Sequence, residues 1–399
     1  MDEFRKAENW LNSIFSEASF FRRNTPPSLE STNLILDYLN RPDRSFQWRI
    51  VVSGTAGKGT VCRTCEDILI RSGKKVATLL SPHVQVVTER IRINGQLVAA
   101  KDFAQGVFTI KSAAEAIKIE PTYYEAIVLT GVFTAWKHNC EILICEVGLG
   151  GEFDAVNAVQ GPRIAASTFA GEDHMEILGP TLADVARTKA GIFTSDSVYN
   201  LSYEKRHHHI LEEVAKTKVE LIEGPRTKLN CLIAQRICEK VLNINDIECK
   251  DVKAPACWEE VSKSPTVILD GAHSNPRFEY LLPKIAETPG HKVAIIALTR
   301  NHEADLNIIL KEFDEIFFCD QIRYRDCWPA SELIKKFGKG KFVSSDPIET
   351  FHKVTTRYKN STIIVVGSFY LCGEIRNLFY PVEEIIKQRT VFPLVKRPG

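Results

Sequence analysis

Long apolar runs are missing from this sequence of 399 residues, and neither sign of charge dominates it. No run approaches the ~20 apolar residues that a membrane helix requires, so we expect no membrane partner. The 51 Lys and Arg residues nearly match the 50 Asp and Glu residues, for a formal net charge of +1. This balance argues against a general nucleic-acid binder.

Cysteines at metal-site or disulfide-framework spacing are also missing. The eleven cysteines are scattered, and Cys62 and Cys65 form a CxxC pair without a second pair to complete a zinc site. We therefore expect reduced thiols, core packing for Cys62 and Cys65, and a cytoplasmic protein.

The chain is longer than a single hydrophobic core usually supports, and its 44% apolar and 25% charged residues are ordinary globular usage. Short apolar runs alternate with helix-like stretches, which predicts an α/β fold with helices covering parallel sheets. The pattern restarts after the stretch 250–264, which predicts two domains, 1–252 and 253–399. The predicted strands are 49–53, 74–80, 141–147, 266–270, 292–298, 315–319 and 362–367, and predicted helices include 61–72, 121–137 and 228–242.

A glycine-rich turn with a lysine separates the first predicted strand from the helix that follows it. Glycines let backbone N–H groups close on phosphate oxygens, the helix N-terminus favours negative charge, and Lys58 adds a cation. The common phosphate loop has Ser or Thr directly after the lysine, whereas this chain has Gly59 there. A turn that binds nothing is the alternative. The predicted phosphate contacts are Gly54, Thr55, Gly57, Lys58, Gly59 and Thr60.

Eight motifs in a fixed order carry a family resemblance. They occupy residues 53–60, 81–83, 89–95, 146–151, 173–179, 189–192, 270–273 and 367–374. In this order they resemble the folylpolyglutamate synthase/dihydrofolate synthase family, a branch of the Mur ligase superfamily. The resemblance implies an N-terminal P-loop ATPase domain of the Mur ligase central type, with a parallel sheet, and a C-terminal Rossmann-like ligase domain.

The resemblance also implies an activity in folate biosynthesis and one-carbon metabolism. A ligase of this family uses ATP to activate the carboxylate of a folate- or pteroate-type acid as an acyl phosphate, and then couples it to L-glutamate with release of ADP. The implied cofactors are ATP and two Mg²⁺ ions, and the implied partners are small-molecule substrates only. We expect a monomer.

Hard-cation ligands are needed beside a phosphate loop, because Mg²⁺ neutralises charge as the γ-phosphate leaves. The resemblance makes Ser81, Glu146 and His174 the metal ligands. It further implies that Lys189 is carbamylated and reaches the second Mg²⁺. On the residues alone, the alternatives are a strand-end carboxylate facing water for Glu146, a capping or surface histidine for His174 and a solvated helical lysine for Lys189.

The acid substrate is expected at a helix start that follows Pro121. Thr122 and Glu125 have the spacing of a capping box, which is itself a sufficient structural reason for both. Aromatic faces there are suited to stacking on a flat ring. The resemblance assigns a set of substrate contacts here: Thr122, Tyr123, Tyr124, Glu125 and Asp154.

Three further positions are implied on the nucleotide side. Asp270 follows a predicted strand, where a carboxylate can accept from a ribose hydroxyl. The resemblance places His273 close to the nucleotide as a catalytic residue beside Lys58 and Lys189. It also places Asn230, on a predicted helix, at the adenine side. A turn-capping Asp270 and a helix-surface Asn230 are the alternatives.

Departures from the family pattern leave two other functions open. Cys257 stands where the family has a nucleotide-binding arginine, Ala56 replaces an asparagine of the phosphate loop, and Ser274 is inserted after His273. Glu152 and Val156 replace a common arginine and threonine near Asp154. These changes keep open a ligase of the same mechanism acting on a non-folate acid, and a nucleotide-binding protein with impaired catalysis.

Overall fold

The computed structural model describes residues 1–14, 28–172, 174–250, 252–300, 304–320 and 327–395. The chain divides into two compact units. The first unit comprises Met1–His83, Val87–Gly171 and Met175–Val252, and the second comprises Val84–Val86, Glu172–His174 and Lys253–Gly399. Two short segments from the first half of the sequence therefore belong to the second unit.

An eight-stranded sheet forms the centre of the first unit, in the order β4-β3-β2-β5-β1-β6-β7-β8 within the described residues. Strands β2, β5, β1, β6, β7 and β8 are parallel neighbours, and β3 and β4 are antiparallel at one edge. The bounds are β1 Trp48–Ser53, β2 Val76–Leu79, β3 Ile91–Ile93, β4 Gln96–Leu97, β5 Ile142–Glu146, β6 Arg163–Ser167, β7 Ser197–Ser202 and β8 Glu220–Leu221.

Helices cover this sheet because their apolar faces match its buried strands. The side chains of Val61, Cys65 and Ile68, on the helix after β1, pack into one core with Ile233 and Ile237 of a later helix. The helices of the unit are α1 Asp2–Ser13, α2 Glu30–Tyr38, α3 Lys58–Arg71, α4 Ala100–Ile117, α5 Tyr123–Lys137, α6 Met175–Leu178, α7 Leu182–Ala190, α8 His208–Ala215 and α9 Leu229–Leu242.

The second unit contains a six-stranded sheet in the order β13-β12-β11-β14-β10-β9 over the residues that are described. Its strands are parallel except β9, which pairs antiparallel with β10 at the edge. The strands are β9 Glu259–Lys263, β10 Thr266–Asp270, β11 Lys292–Ile296, β12 Glu315–Phe318, β13 Lys341–Phe342 and β14 Thr362–Val366. The helices are α10 Asn275–Glu287, α11 Asn307–Leu310, α12 Ala330–Phe337, α13 Pro347–Arg357, α14 Phe369–Arg376 and α15 Val382–Gln388.

The predicted α/β class and all seven predicted strands are confirmed, and both sheets are parallel except for antiparallel strands at an edge. In the first sheet, Asn94 and Gly95 both adopt positive φ, 48° and 77°. Two such residues form the tight turn that joins antiparallel strands, so the chain reverses between β3 and β4. In the described part of the chain, no helix has the length and apolarity to span a membrane.

The cysteine expectation is wrong for one pair. Cys231 and Cys249 form a disulfide with a Cα–Cα distance of 6.1 Å. The other nine cysteines, all within described residues, are free thiols, and Cys62 and Cys65 are buried in the core as expected. The pair was not predicted because Cys231 lies in α9 whereas Cys249 lies beyond the end of that helix, 18 residues later, and the two share no local motif.

Candidate active site

The phosphate loop leaves β1 and enters α3 through two glycines that no other residue can replace without strain. Gly54 has φ +128°, and a Cβ there would lie 1.7 Å from Thr168 Oγ1. Gly57 has φ +87°, and its Cβ would lie 2.4 Å from Asn230 Oδ1. The loop therefore needs glycine both for its backbone conformation and for close approach to its neighbours.

Two side chains of the loop bond to backbone atoms and hold its shape. Lys58 Nζ donates to the Gly54 carbonyl oxygen at 2.8 Å, so its ammonium group lies across the turn. Thr55 Oγ1 accepts from the Gly171 N–H at 2.9 Å. The Thr55 N–H in turn donates to the Phe169 carbonyl at 2.9 Å. The loop is thereby fastened to the segment that follows β6.

The Glu146 carboxylate lies directly beside the phosphate loop. A Cβ at Gly59 would be 3.3 Å from Glu146 Oε2, so the missing Ser or Thr of the common loop corresponds to space next to this carboxylate. Glu146 Oε2 also accepts from the Ser81 N–H at 3.0 Å. The structure thus brings together Gly59, Glu146 and Ser81. A carboxylate and a hydroxyl beside a phosphate loop are the hard oxygen donors that Mg²⁺ prefers.

The remaining predicted metal ligands lie in different parts of the fold. His174 is in the short segment Glu172–His174 of the second unit, and Asp173 in the same motif is outside the described residues. Over the residues that can be searched, no group of three or more His, Cys, Asp and Glu side chains is arranged to hold a metal ion. The ligand set that includes His174 therefore stays a prediction.

Lys189 is buried, with 3% of its surface exposed, near the end of α7. Its carbonyl oxygen accepts from the Ser53 hydroxyl at 3.0 Å, which fixes α7 against the last residue of β1. A Cβ at Gly151 would lie 2.8 Å from the carbonyl oxygens of Thr188 and Lys189. The glycine therefore allows the loop after β5 to approach this helix end closely.

Asp154 organises the loop that follows β5. Its Oδ2 accepts from the N–H groups of Gly148 at 2.8 Å and Leu149 at 3.0 Å, and its Oδ1 accepts from Val156 N–H at 3.1 Å. The Tyr124 hydroxyl lies 3.2 Å from Oδ1. Burial raises the pKa of Asp154 to about 6, although these donors favour the ionised form. Burial likewise raises the pKa of Tyr124.

Thr122 and Glu125 form the capping box that their spacing predicts. Glu125 Oε2 accepts from the Thr122 N–H at 2.6 Å, and Glu125 Oε1 accepts from the hydroxyls of Ser31 and Thr32 on α2. Both side chains thus have a structural role that accounts for them. Their predicted contact with a substrate stays a prediction.

Two side chains near this helix start went unassigned in the sequence analysis. Phe153, next to Asp154, is 48% exposed, which is unusual for a large aromatic residue. Arg90 is buried and its guanidinium carbon lies 5.8 Å from the centre of the Tyr123 ring. Arg90 lies inside the quoted motif 89–95, so the motif located it without giving it a role.

In the second unit, Asp270 ends β10 as predicted. It accepts from the N–H groups of Trp258 at 2.8 Å and Ala272 at 2.9 Å, and burial raises its pKa. His273 Nδ1 lies 2.6 Å from the Gly271 carbonyl oxygen, and its ring meets the Phe369 ring edge-on at 5.7 Å. Through these hydrogen bonds, the Asp270 carboxylate also stabilises the turn that follows β10.

Asn230 begins α9 in the first unit and faces the phosphate loop rather than open solvent. Its Oδ1 accepts from the Tyr203 hydroxyl at 2.7 Å and approaches Gly57. Among the departures, Cys257 and Glu152 are exposed, whereas Val156 is fully buried. Val156, in place of the common threonine, is therefore part of the buried interior of the loop.

Comparisons with known proteins agree with this arrangement. Residues 52–223 match the Mur ligase middle domain. The dihydrofolate synthase/folylpolyglutamate synthase of Escherichia coli (strain K12) is 28% identical over 361 residues, which cover 81% of this chain and 85% of that protein.

Solved structures extend the similarity over both units. E. coli FolC in complex with DHPP and ADP has a TM-score of 0.81 and 25% identity, covering 93% of this chain and 97% of that chain. The bifunctional folylpolyglutamate synthase/dihydrofolate synthase from Yersinia pestis c092, complexed with AMPPNP and Mn ion, shares the fold with a TM-score of 0.79 and 22% identity, covering 93% and 97%. Over most of its length the chain is thus similar to dihydrofolate synthase/folylpolyglutamate synthase enzymes, and part of its first unit matches the middle domain of Mur ligases.

Proposed function

We propose that this protein is an ADP-forming ligase that joins L-glutamate to a folate- or pteroate-type acid. ATP phosphorylates the carboxylate of the acid, and the glutamate amine then attacks the acyl phosphate to give an amide and phosphate. The observation that carries this proposal is the Glu146 carboxylate beside a phosphate loop that has glycine after its lysine. The similarity to the E. coli enzyme across most of the chain supports the same reaction.

The phosphate loop, with Gly54, Thr55, Gly57, Gly59 and Thr60 as its contacts, binds the triphosphate through backbone N–H groups. Lys58 supplies a positive charge next to those oxygens, which stabilises negative charge on the transferring phosphoryl group. The lysine leaves the Gly54 carbonyl when phosphate oxygens offer a better partner. Replacement of Lys58 by alanine is expected to lower kcat at least about 100-fold, since an electrostatic donor of this kind contributes a large share of the rate.

A divalent metal site formed by Ser81, Glu146 and His174 is part of the proposal. The ions neutralise charge on the phosphates during transfer. The carboxylate of Glu146 and the hydroxyl of Ser81 support Mg²⁺, which prefers oxygen ligands, whereas the imidazole of His174 is a donor that also suits transition-metal ions. Ser81 and Glu146 are held together by the Ser81 N–H bond, so their relative position does not depend on the metal.

Carbamylation of Lys189 is also part of the proposal. The ammonium group first loses a proton; the neutral amine then adds to the carbon of CO₂ and loses a second proton, which leaves an anionic carbamate that could bind a metal. The deep burial of the residue supports this, because burial favours the neutral amine that reacts. The Lys189→Ala variant should lose activity and regain part of it in high acetate. A nuclear magnetic resonance signal from ¹³C-labelled CO₂ should be present only in the parent protein.

We assign Asn230, Asp270 and His273 as the residues that contact the base and ribose of the nucleotide. The N-terminal domain, 1–252, would bind ATP, and the C-terminal domain, 253–399, would complete the ligase. Tyr123, Tyr124, Asp154 and the capping-box residues Thr122 and Glu125 would contact or shape the site of the acid. A monomer and a cytoplasmic location complete the proposal, to be tested by light scattering and by cell fractionation.

The deciding experiment measures ADP release with each substrate omitted in turn. Release that requires both a pteroate- or folate-type acid and glutamate supports the proposal. A lack of turnover with every pterin acid tested, in protein that binds ATP, rejects the acid assignment.

A ligase of the same mechanism with another acid is the second candidate. Two exposed departures favour it: Glu152, beside the predicted acid site, and Cys257 in the second unit. Mass spectrometry of the products from a mixture of carboxylic acids distinguishes the two candidates.

A further inference from the structure

Arg90 closes the turn that carries Ser81. Its carbonyl oxygen accepts from the Leu80 N–H at 2.9 Å, and its Nη1 donates to Ser81 Oγ at 3.2 Å. Its Nε donates to His83 Nδ1 at 2.9 Å. Only 8% of the residue is exposed. One buried arginine thus bonds to the turn through both its backbone and its side chain.

The face of the same guanidinium lies over an aromatic ring of the predicted acid site. The guanidinium carbon is 5.8 Å from the centre of the Tyr123 ring, within the range of a cation–π contact. The positive charge of Arg90 lowers the pKa of Tyr123, although burial has the larger effect and the net shift is upward. Arg90 is therefore a physical link between the Ser81 hydroxyl and the start of α5.

The bond to Ser81 affects what that hydroxyl can do. A serine hydroxyl has two lone pairs and one proton, and arginine can only donate. When Arg90 occupies one lone pair, the other remains for a cation, and the proton is directed elsewhere. The Ser81 N–H bond to Glu146 fixes the residue from the opposite side. The hydroxyl is thereby oriented before any metal binds.

We propose that Arg90 is a positioning residue that orients the Ser81 hydroxyl toward the divalent ion and holds Tyr123 against the acid substrate. This inference rests on the proposed function for the identity of both sites. Through one guanidinium, the two sites become coupled: a change at Arg90 weakens metal binding and acid binding together. Replacement of a residue that orients a metal ligand typically lowers metal affinity by about 10- to 100-fold.

The test measures Mn²⁺ binding by electron paramagnetic resonance, with a non-hydrolysable ATP analogue present and no turnover. Arg90→Ala should raise the apparent Kd for Mn²⁺ at least about 10-fold. Arg90→Lys keeps the positive charge but not the planar set of N–H donors. Its apparent Kd for Mn²⁺ should therefore lie between those of Arg90→Ala and the parent. The matched control is Arg92→Lys, two residues further on, because Arg92 bonds to Glu66 at 2.8 Å and not to Ser81.

A second measurement addresses the acid site. In Arg90→Lys assayed at saturating Mg²⁺, the KM for the acid should rise while the KM for ATP stays within about twofold, since the acid and not ATP contacts Tyr123. Mn²⁺ affinity in Arg90→Ala equal to that of Arg92→Lys would overturn the inference. If Arg90→Ala does not fold, the same comparison is made with Arg90→Lys: a Mn²⁺ affinity equal to that of Arg92→Lys would overturn the inference. Normal Mn²⁺ binding by the parent without turnover of any pterin acid would reject the proposed substrate but leave the metal result intact.

Discussion

Gly59 illustrates how a single residue departs from a common motif for a physical reason. The usual Ser or Thr would place a Cβ 3.3 Å from Glu146 Oε2, a contact tighter than side chains normally make. The carboxylate therefore occupies the region that a hydroxyl would otherwise use. The sequence identified the missing hydroxyl, but only the structure shows what lies beside the gap.

We expect Gly59→Ser to impair the enzyme, although it restores the common phosphate-loop sequence. The new side chain requires the Glu146 carboxylate to shift by a few tenths of an ångström. This shift moves a proposed metal ligand, so the apparent Kd for Mn²⁺ should rise by about 10-fold. Titration of Mn²⁺ with a non-hydrolysable ATP analogue measures this. Equal or tighter binding by Gly59→Ser would contradict the placement of Glu146 at the metal.

Asp154 makes a pH prediction at the same scale. Because burial raises its pKa to about 6, its contribution to the free energy of unfolding is fully present below its ordinary pKa of 3.8 and is lost as pH rises through about 6. Binding of the acid should respond to pH in the opposite direction and weaken as pH falls. Protonation below about pH 6 weakens the bonds from Gly148, Leu149 and Tyr124 that shape the loop.

We therefore expect the KM for the acid to rise as pH falls from 7 to 5. In Asp154→Asn, the amide cannot titrate, so the pH dependence of KM in this range should flatten. Steady-state kinetics across the range test both statements. A parent enzyme whose KM for the acid is constant from pH 5 to 8 would show that Asp154 does not control this site.

The close approach of the loop after β5 to the end of α7 is a prediction at the scale of elements. In Gly151→Ala, the new methyl group would lie 2.8 Å from two backbone carbonyl oxygens, which cannot rotate away. The expected cost in unfolding free energy is about 1–3 kcal/mol, typical of overpacking. The comparison is Gly290→Ala, where nothing lies within 4 Å of the new methyl group and the only cost is that of alanine at a φ of +79°.

Denaturant unfolding of both variants measures the difference. Gly151→Ala should also lose activity, because the displaced loop carries Asp154 and the helix carries Lys189. A Gly151→Ala variant with the stability and activity of the parent would contradict a tight loop–helix contact.

Whether a strand could be predicted from the sequence depended on whether it contains consecutive apolar residues. Strand β1 and the central strands of both sheets each contain at least three consecutive apolar residues, mostly β-branched or leucine, and were found. Strand β6 was missed because it begins with Arg163 and its short apolar part includes two alanines, which are depleted in strands. That arginine is nevertheless buried, where it bonds to the Ile192 carbonyl at 2.8 Å. A charged residue with internal partners can occupy a buried strand, and those partners are distant in sequence.

The residues of the candidate site likewise divide into those that local sequence predicts and those that depend on contacts between distant parts of the chain. The phosphate loop was predictable because its glycines, lysine and helix are consecutive. The role of Arg90 was not, because its significance depends on bonds to Ser81 and a ring contact with Tyr123. The roles of Thr122 and Glu125 in capping were predictable from spacing alone.

At the scale of the whole molecule, the two units are not contiguous in sequence. Gln85 lies early in the chain but belongs to the second unit, where its Oε1 accepts from Arg376 Nη1 and its Nε2 donates to the Tyr380 carbonyl at 2.8 Å. Arg376 is fully buried and also bonds to Glu259 at 2.9 Å. A buried cation that loses one partner costs about 1–3 kcal/mol.

We therefore expect Gln85→Ala to destabilise the second unit selectively. Hydrogen exchange should become faster in β10 and β14, while β1 and β5 of the first sheet keep their protection. The reverse pattern, with faster exchange confined to the first sheet, would contradict the assignment of Gln85 to the second unit.

The central claim concerns the reaction of the whole protein, and one stoichiometry tests it most directly. Protein incubated with ATP, Mg²⁺, a pteroate- or folate-type acid and L-glutamate should release one ADP for each glutamate joined to the acid, and Glu146→Ala should abolish both. Formation of the glutamyl product without ADP, or ADP release without glutamyl product in the presence of both substrates, would contradict the account.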